Sequence, residues 1–484
     1  MLASVADFSN PDMPLRYIST RGQAPALGFS DAMLASLARD GGLYVPEIWP
    51  VLAQGSIAGF AGKPYAEVAQ AVMTPFTNGD IASGDLSAML HSAYATFRHS
   101  AVTPLVQLHD NLFVLELFHG STLAFKDVAM QVLARMMDHE LKRRNQRATI
   151  VAATSGDTGA AAVGAFAGLE QVDLFILYPA GRVSEVQRRQ MTTVDAPNVH
   201  AIALDGTFDD CQNLLKGLFN HHAFADEIGL SGVNSINWAR VMAQATYYFT
   251  SAVALGSPAR PVSFTVPTGN FGDVLAGYMA KRMGLPVQRL VIATNANDIL
   301  ARALGNGTYD LRQVEATQSP SMDIQVSSNF ERLLFEALGR DASEVCRLMA
   351  NLRQSRRFDI PAAALAAIHA TFDAGSTSEA ATTEEIARTY RETGYVLDPH
   401  TAVGVSVARR EVLKNPAVPM VVLGTAHPAK FPDAVEKAIG LRPKLPAHLA
   451  GLLAHRERFT PLPNDQGEIE KFIRRHGRSG RARA

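Results

Sequence analysis

The sequence predicts an α/β protein, with mostly parallel sheets flanked by helices and a mostly helical unit in front. Three observations predict it. From about residue 100, short β-branched runs alternate with Ala-rich windows of helical period, the pattern of α/β units around a parallel sheet. Three of these runs share one plan of strand, small polar turn and helix, and such turns at the carboxyl ends of parallel strands are where α/β proteins bind ligands. The composition, 47% hydrophobic and 19% charged, is that of a chain able to bury a core and not of a disordered one.

Taken in order, the elements are as follows. The 484 residues suggest two to four domains. Residues 1–95 read as the helical unit: an extended segment Tyr17–Arg21, a GGLYVP loop at Gly41–Pro46, and helical patterns near Tyr65–Met73 and Leu86–Phe97. In HGSTLAFKDVAMQVLARMMDHEL, Val128, Val132, Leu133, Met136, Met137 and Leu141 form one apolar helical face, with Ser121 or Thr122 as the expected N-cap. The strand Ala148–Ala153 runs into TSGDTG (Thr154–Gly159) and an Ala-rich helix. The charge-free stretch Val241–Ala259 is broken by Gln244, Thr246, Thr250, Ser251, Ser257 and Pro258, so it reads as a buried helix and not a membrane span. Val262–Val266 runs into PTGNFGD (Pro267–Asp273) and a helix Val274–Met283, and Met420–Leu423 into GTAHPAKF (Gly424–Phe431) and a helix from about Asp433.

Charge excludes some partners. With 45 Lys+Arg against 46 Asp+Glu, there is no positive field to hold nucleic acid or an anionic membrane. The run KFIRRHGRSGRARA at 471–484 is a local basic exception, expected to be a solvated terminus. Cys211 and Cys346 are too few and too far apart for a disulfide framework or a metal site, which fits a reducing compartment. No secretory signal is read in MLASVADFSNPDMPLRY, so the expected location is the cytoplasm.

Three turns that each open a helix imply an anionic ligand held from several sides, because helix N-termini offer unpaired N–H groups and a favourable dipole. Neither G-x-G-x-x-G nor G-x-x-x-x-G-K-[ST] occurs at these turns, and zincin and hydrolase-serine motifs are absent, which leaves a small phosphorylated ligand or cofactor. Lys126 falls in the first turn of its helix, where the dipole disfavours a cation, and follows apolar Leu123, Ala124 and Phe125. A desolvated amine there loses its proton readily and is able to form a Schiff base with a carbonyl.

These residues resemble the threonine synthases, pyridoxal-phosphate (PLP) enzymes of fold type II, the tryptophan-synthase-β-like superfamily. The resemblance runs through YISTRG (Tyr17–Gly22), GGLYVPE (Gly41–Glu47), HGSTLAFKD (His119–Asp127), ATSGDTGAAA (Ala153–Ala162), NSINWAR (Asn234–Arg240), PTGNFGD (Pro267–Asp273), DPHTAVG (Asp398–Gly404) and GTAHPAKFPD (Gly424–Asp433). The amino-terminal motifs are similar to the longer bacterial and fungal type, so no activation by S-adenosylmethionine is expected. The resemblance implies that Lys126 carries PLP, that Gly269, Asn270, Phe271 and Asp273 form its phosphate loop, and that Thr425 faces the pyridine nitrogen. It also implies that Ser155, Asp157 and Thr158 hold the substrate's α-carboxylate, and that Asn234, Ser235, Asn237, Arg240 and Arg182 bind its phosphate. This sequence departs from the family pattern at Ser121, Gly424, Arg182 and Glu185; Arg for Lys at 182 keeps the charge, whereas Glu185 near a phosphate has no role beyond pointing to solvent.

The implied fold is two three-layer α/β domains with mostly parallel sheets plus the helical unit. The implied boundaries are an N-terminal domain at 1–95, a large PLP domain at 96–121 and 256–440, a small PLP domain at 122–255, and an extension with its basic tail at 441–484. The implied activity is conversion of O-phospho-L-homoserine and water to L-threonine and phosphate, a carbon–oxygen lyase reaction closing threonine biosynthesis, by a monomer or homodimer. The alternative is a related phospho-lyase or a serine/threonine dehydratase ending in 2-oxobutyrate.

Overall fold

The computed structural model describes residues 14–478. Strand β1 (Tyr17–Ser19) pairs antiparallel with β2 (Tyr44–Pro46), so the GGLYVP segment expected as a loop ends in a strand. Tyr44 and Val45 are buried, and β1 supplies the ladder partner that a three-residue run cannot advertise by itself. Helix α1 (Phe29–Ala35) lies between them; α2 (Tyr65–Thr77) and α3 (Ser83–Tyr94) follow, where helical periodicity places them. Buried Trp238 joins this unit to the rest of the chain, its ring 6.0 Å from Tyr17, 5.9 Å from Trp49 and 6.1 Å from Phe76 between centroids.

The antiparallel pair β3 (Leu105–His109) and β4 (Leu112–Glu116) leads to α4 (Lys126–Arg143). Neither Ser121 nor Thr122 caps this helix; the N-cap position is Phe125, without a side-chain bond. The cause is Asp127, which reaches back from the first turn and accepts the Thr122 N–H at 2.7 Å and the Thr122 hydroxyl at 2.6 Å. Then come β5 (Ala148–Ala153), α5 (Asp157–Phe166), β6 (Val172–Pro179), α6 (Glu185–Thr192), β7 (Val199–Leu204), α7 (Phe208–Asn220), β8 (Leu230–Ser231) and α8 (Trp238–Ala254). Their strands pair in parallel in the order β7-β6-β5-β8. The stretch expected to be a buried helix is α8, which stops at Ala254, ahead of Gly256 and Pro258.

The chain then forms β9 (Val262–Pro267), α9 (Gly272–Arg282), β10 (Val287–Thr294), an antiparallel pair β11 (Thr308–Asp310) and β12 (Arg357–Asp359), β13 (Phe372–Ser376), α10 (Pro399–Val412) and β14 (Met420–Gly424). With β3 and β4 these build a six-stranded sheet ordered β13-β10-β9-β14-β4-β3, parallel except at its β4/β3 edge. The molecule is thus α/β with two mostly parallel sheets, as expected. The C-terminal segment returns to the first sheet: β15 (Thr460–Leu462) pairs in parallel with β7, and α11 (Gln466–His476) packs Ile469 and Ile473 onto it. Half of the basic tail is therefore folded, with Arg474 on Glu227 at 2.9 Å and Arg478 on Asp173 at 2.6 Å. Residues 479–484 lie outside the described residues. Among those described, no helix is long and apolar enough to cross a membrane and no His/Cys/Asp/Glu group could hold a metal ion.

Candidate active site

Lys126 is set in place from both sides. The Phe125 N–H donates to the Thr425 carbonyl at 2.8 Å and the His427 N–H donates to that of Leu123 at 3.0 Å, so the segment leading into α4 runs antiparallel to the one leaving β14. This brings Lys126 to the carboxyl end of the six-stranded sheet, beside Thr425. Its Nζ lies 4.8 Å from the Phe125 ring centroid and 3.6 Å from Asp157 Oδ2. Burial lowers the pKa of this amine; Asp157 opposes that, while Arg240 and Lys430 reinforce it.

The turn opening α5 is wound by Thr154, whose hydroxyl accepts the N–H groups of Gly156 and Gly159 at 2.9 Å each. Gly156 has φ +142, and a Cβ there would lie 2.4 Å from the Gln187 side chain. Asp157 Oδ1 accepts from Lys430 Nζ at 2.7 Å and from Gln187 Nε2 at 2.8 Å, and Oδ2 from the Ser321 hydroxyl at 3.2 Å. Burial alone would raise this carboxyl; Lys430 and then Lys126 outweigh it and hold it far below the usual carboxylate range. Its side chain thus faces cations. The hydroxyls of Ser155 and Thr158, half-buried and without partners among the described residues, are the groups of this turn left to meet an anion.

A second turn opens α9. The N–H groups of Gly269, Asn270, Phe271 and Gly272 find no acceptor among the described residues, and Phe271 is left-handed with φ +65. A Cβ on Gly269 would sit 2.7 Å from the Ser321 carbonyl oxygen, so only glycine fits. The Asp273 side chain turns away from the loop to accept the Tyr247 hydroxyl; burial raises its pKa to about 7, and its Oδ2 has no partner. The Asn329 amide donates to the carbonyls of Ser235 at 3.2 Å and Asn270 at 2.9 Å, tying the NSINWAR segment to this loop.

In that segment Arg240 is buried and, among the described residues, has one carbonyl contact, Nη1 to Val233 O at 3.2 Å, an unpartnered Nε and no carboxylate. Desolvation lowers its pKa to about 10. Asn237 is otherwise engaged: it caps α8 through the Ala239 N–H and donates to the carbonyls of Met33 and Gly232. Asn234 and Ser235 remain half-buried beside the loop. Arg182 is the expected site residue that is not gathered in; it lies exposed on the turn between β6 and α6. Glu185 points to solvent and pairs with Arg189 at 3.4 Å.

Sequence reasoning passes over Lys430, Gln187, Ser321 and the pair Asp398–His400, whose Oδ1 and Nδ1 are 2.9 Å apart and whose Nε2 accepts the Ser321 N–H at 3.2 Å. Lys430 and His400 sit inside motifs already quoted, GTAHPAKFPD and DPHTAVG; a lysine between Ala and Phe at a strand end was the available signal.

The residues fit PLP. A buried amine of lowered basicity would suit an aldehyde, four N–H groups without acceptors among the described residues at a helix start would suit a phosphate, and the Thr425 hydroxyl would suit a pyridine nitrogen. Fold and site together define a fold type II PLP enzyme, and residues 97–382 match the pyridoxal-phosphate dependent enzyme family. Residues 16–94 match the threonine synthase N terminus and 401–473 the threonine synthase C-terminal region. The chain is 52% identical over 468 residues to the threonine synthase of Pseudomonas aeruginosa, covering 96% of this chain and all of that one. It resembles the crystal structure of PLP-bound threonine synthase from Brucella melitensis at 59% identity and TM-score 0.93, covering 96% of this chain and 100% of that one. The yeast threonine synthase structure follows at 38% and 0.90, covering 96% and 99%. The chain belongs to the threonine synthase family.

Proposed function

We propose that the chain converts O-phospho-L-homoserine and water to L-threonine and phosphate in the cytoplasm, as a monomer or homodimer. The observation that carries the substrate is Arg240: a buried guanidinium without a carboxylate, next to Lys126, is completed by a phosphate. Bound PLP, held at Lys126, supplies an electron sink that acidifies the substrate's α-carbon. Lys126, whose basicity burial lowers, would be the group that takes the α-proton and returns it. The Ser155 and Thr158 hydroxyls at the start of α5, with Asp157 organising their turn, hold the α-carboxylate. Asn234, Ser235 and Arg240 hold the phosphate as it leaves Cγ; Asn237 positions that segment and Arg182 adds positive field from the rim. Gly269, Asn270 and Phe271 bind the cofactor phosphate through backbone N–H groups, Asp273 anchors their helix, and Thr425 meets the ring nitrogen. For the atoms to balance, one proton passes from Cβ to Cγ as the phosphate leaves, water supplies the hydroxyl at Cβ, and its remaining proton goes with the phosphate.

In domain terms, residues 122–255 and 96–121 with 256–440 form the two walls of the site, the described part of the 1–95 unit, residues 14–95, buttresses them, and the described part of the 441–484 extension, residues 441–478, works as part of the first wall. The test is product stoichiometry on O-phosphohomoserine: threonine and phosphate in equal amounts support the reading, and 2-oxobutyrate in place of threonine overturns it in favour of the lyase or dehydratase. Lys126→Ala is expected to lose the visible band of bound PLP; a retained band overturns the role of Lys126.

A further inference from the structure

Lys430 is the buried group that the proposed reaction leaves without a task. Its side chain has 0% exposure, and its Nζ makes two contacts, both at 2.7 Å: Asp157 Oδ1 and the carbonyl of Thr122. It reaches from the short turn Pro428–Lys430, just beyond β14, to the first residue of α5 and to the segment that carries Lys126. Asp157 is therefore one carboxylate between two amines, nearer to Lys430 than to Lys126 at 3.6 Å. Gln187 and Ser321 fix its remaining lone pairs, so it cannot swing to favour the other lysine.

We propose that Lys430 is the standing counter-ion of Asp157 and, by holding that charge, keeps Lys126 an uncharged amine able to add to a carbonyl and to accept a proton from carbon. Lys430 is on this view a positioning residue acting through Asp157, and the inference rests on the reading that Lys126 is the PLP lysine. The charges facing Lys126 support it from every side. Among the described residues, Asp157 on α5 is the sole carboxylate in ion-pair contact with it, and its field is drawn off by Lys430. Arg240 on α8 and Lys430 itself repel an ammonium at that position. Asp273 on α9 is occupied by Tyr247 and Tyr248, and Asp127 in the same turn is occupied by Thr122. Without Lys430, Asp157 would have Lys126 as its only cationic partner, and the amine would be held as ammonium, neither nucleophile nor base.

The test uses the full chain stripped of PLP, following the rate of recapture of added pyridoxal 5′-phosphate against pH by the visible band. K430M is expected to move the acid limb of this profile to higher pH, so that capture at a fixed pH on that limb slows about tenfold for each pH unit moved. K430R, which keeps the charge, is expected to stay with the wild type. D157N is expected to move the limb to lower pH, and it reads the same equilibrium if K430M does not fold. An unmoved limb in K430M, an equal displacement in K430R, or a D157N limb at or above the wild-type position overturns the proposal. A purely structural clasp would lower the thermal stability of K430M and leave the limb in place, which also overturns it. Failure of the wild type to form the band would strike the Lys126 reading instead, so the two failures are distinguishable.

Discussion

Arg240 shows how a single side chain can be costly to the fold and necessary to the site. A guanidinium taken out of water without a carboxylate is a liability to the free protein, and its unpartnered Nε adds to it. We therefore expect R240M to have opposite effects in two measurements: equal or higher thermal stability without substrate, by about 1–3 kcal/mol, and a KM for O-phosphohomoserine raised at least about tenfold, the loss of one charge-assisted contact. R182A, at an exposed position, is expected to change KM by less than R240M. Asp273 gives a prediction in pH. Its carboxyl, raised by burial from 3.8 to about 7, keeps its proton in the folded chain while the unfolded chain has lost it. Stability from this group is then complete below pH 3.8, falls as pH rises toward about 7, and levels off beyond. D273N lacks that loss, so denaturant melts at acid and at mildly alkaline pH should diverge less for the variant than for the wild type, by an amount on the order of 1.4 kcal/mol per pH unit of separation.

At the level of elements, the turns set the chemistry. Gly269 is confined by the backbone carbonyl of Ser321, which cannot give way as a side chain can. G269A is expected to fold with an unchanged circular dichroism spectrum while PLP affinity falls at least about tenfold, because the loop must open and its N–H groups lose their common aim. Much of this level is legible in sequence. Ala148–Ala153, Val262–Pro267 and Met420–Gly424 are apolar runs closed by turn residues, and each becomes a parallel strand feeding the site. What escapes is what depends on distant partners. Tyr44–Pro46 is a strand because Tyr17–Ser19 lies beside it, and α4 goes uncapped by Thr122 because Asp127 claims that side chain. Asp157 matches the carboxylate-binding motif, but its ties to Lys430 and Ser321 come from remote parts of the chain and carry no local pattern. Arg182 is legible as a cation, whereas its exposure is a property of the folded turn.

Across the whole molecule, the site is assembled from both sheets, with Asp157 and Arg240 from one side and Gly269, Thr425 and Lys430 from the other. The C-terminal segment closes the edge of the first sheet. Removing residues from 456 onward deletes β15 and α11 and bares the β7 edge together with the apolar surface under Ile469 and Ile473, each worth about 1.5–3 kcal/mol of burial. That truncated chain is expected to be largely insoluble on expression; a soluble, PLP-binding product would show that the first sheet is complete without it. The same pairing has a consequence for biosynthesis. On a ribosome the β5–β8 strands emerge long before residue 460, so the nascent sheet waits with β7 as an unpaired border until β15 has been made. Stalled or prematurely terminated chains are the species that would present this border to one another, and holding it apart is a job for chaperones bound during translation.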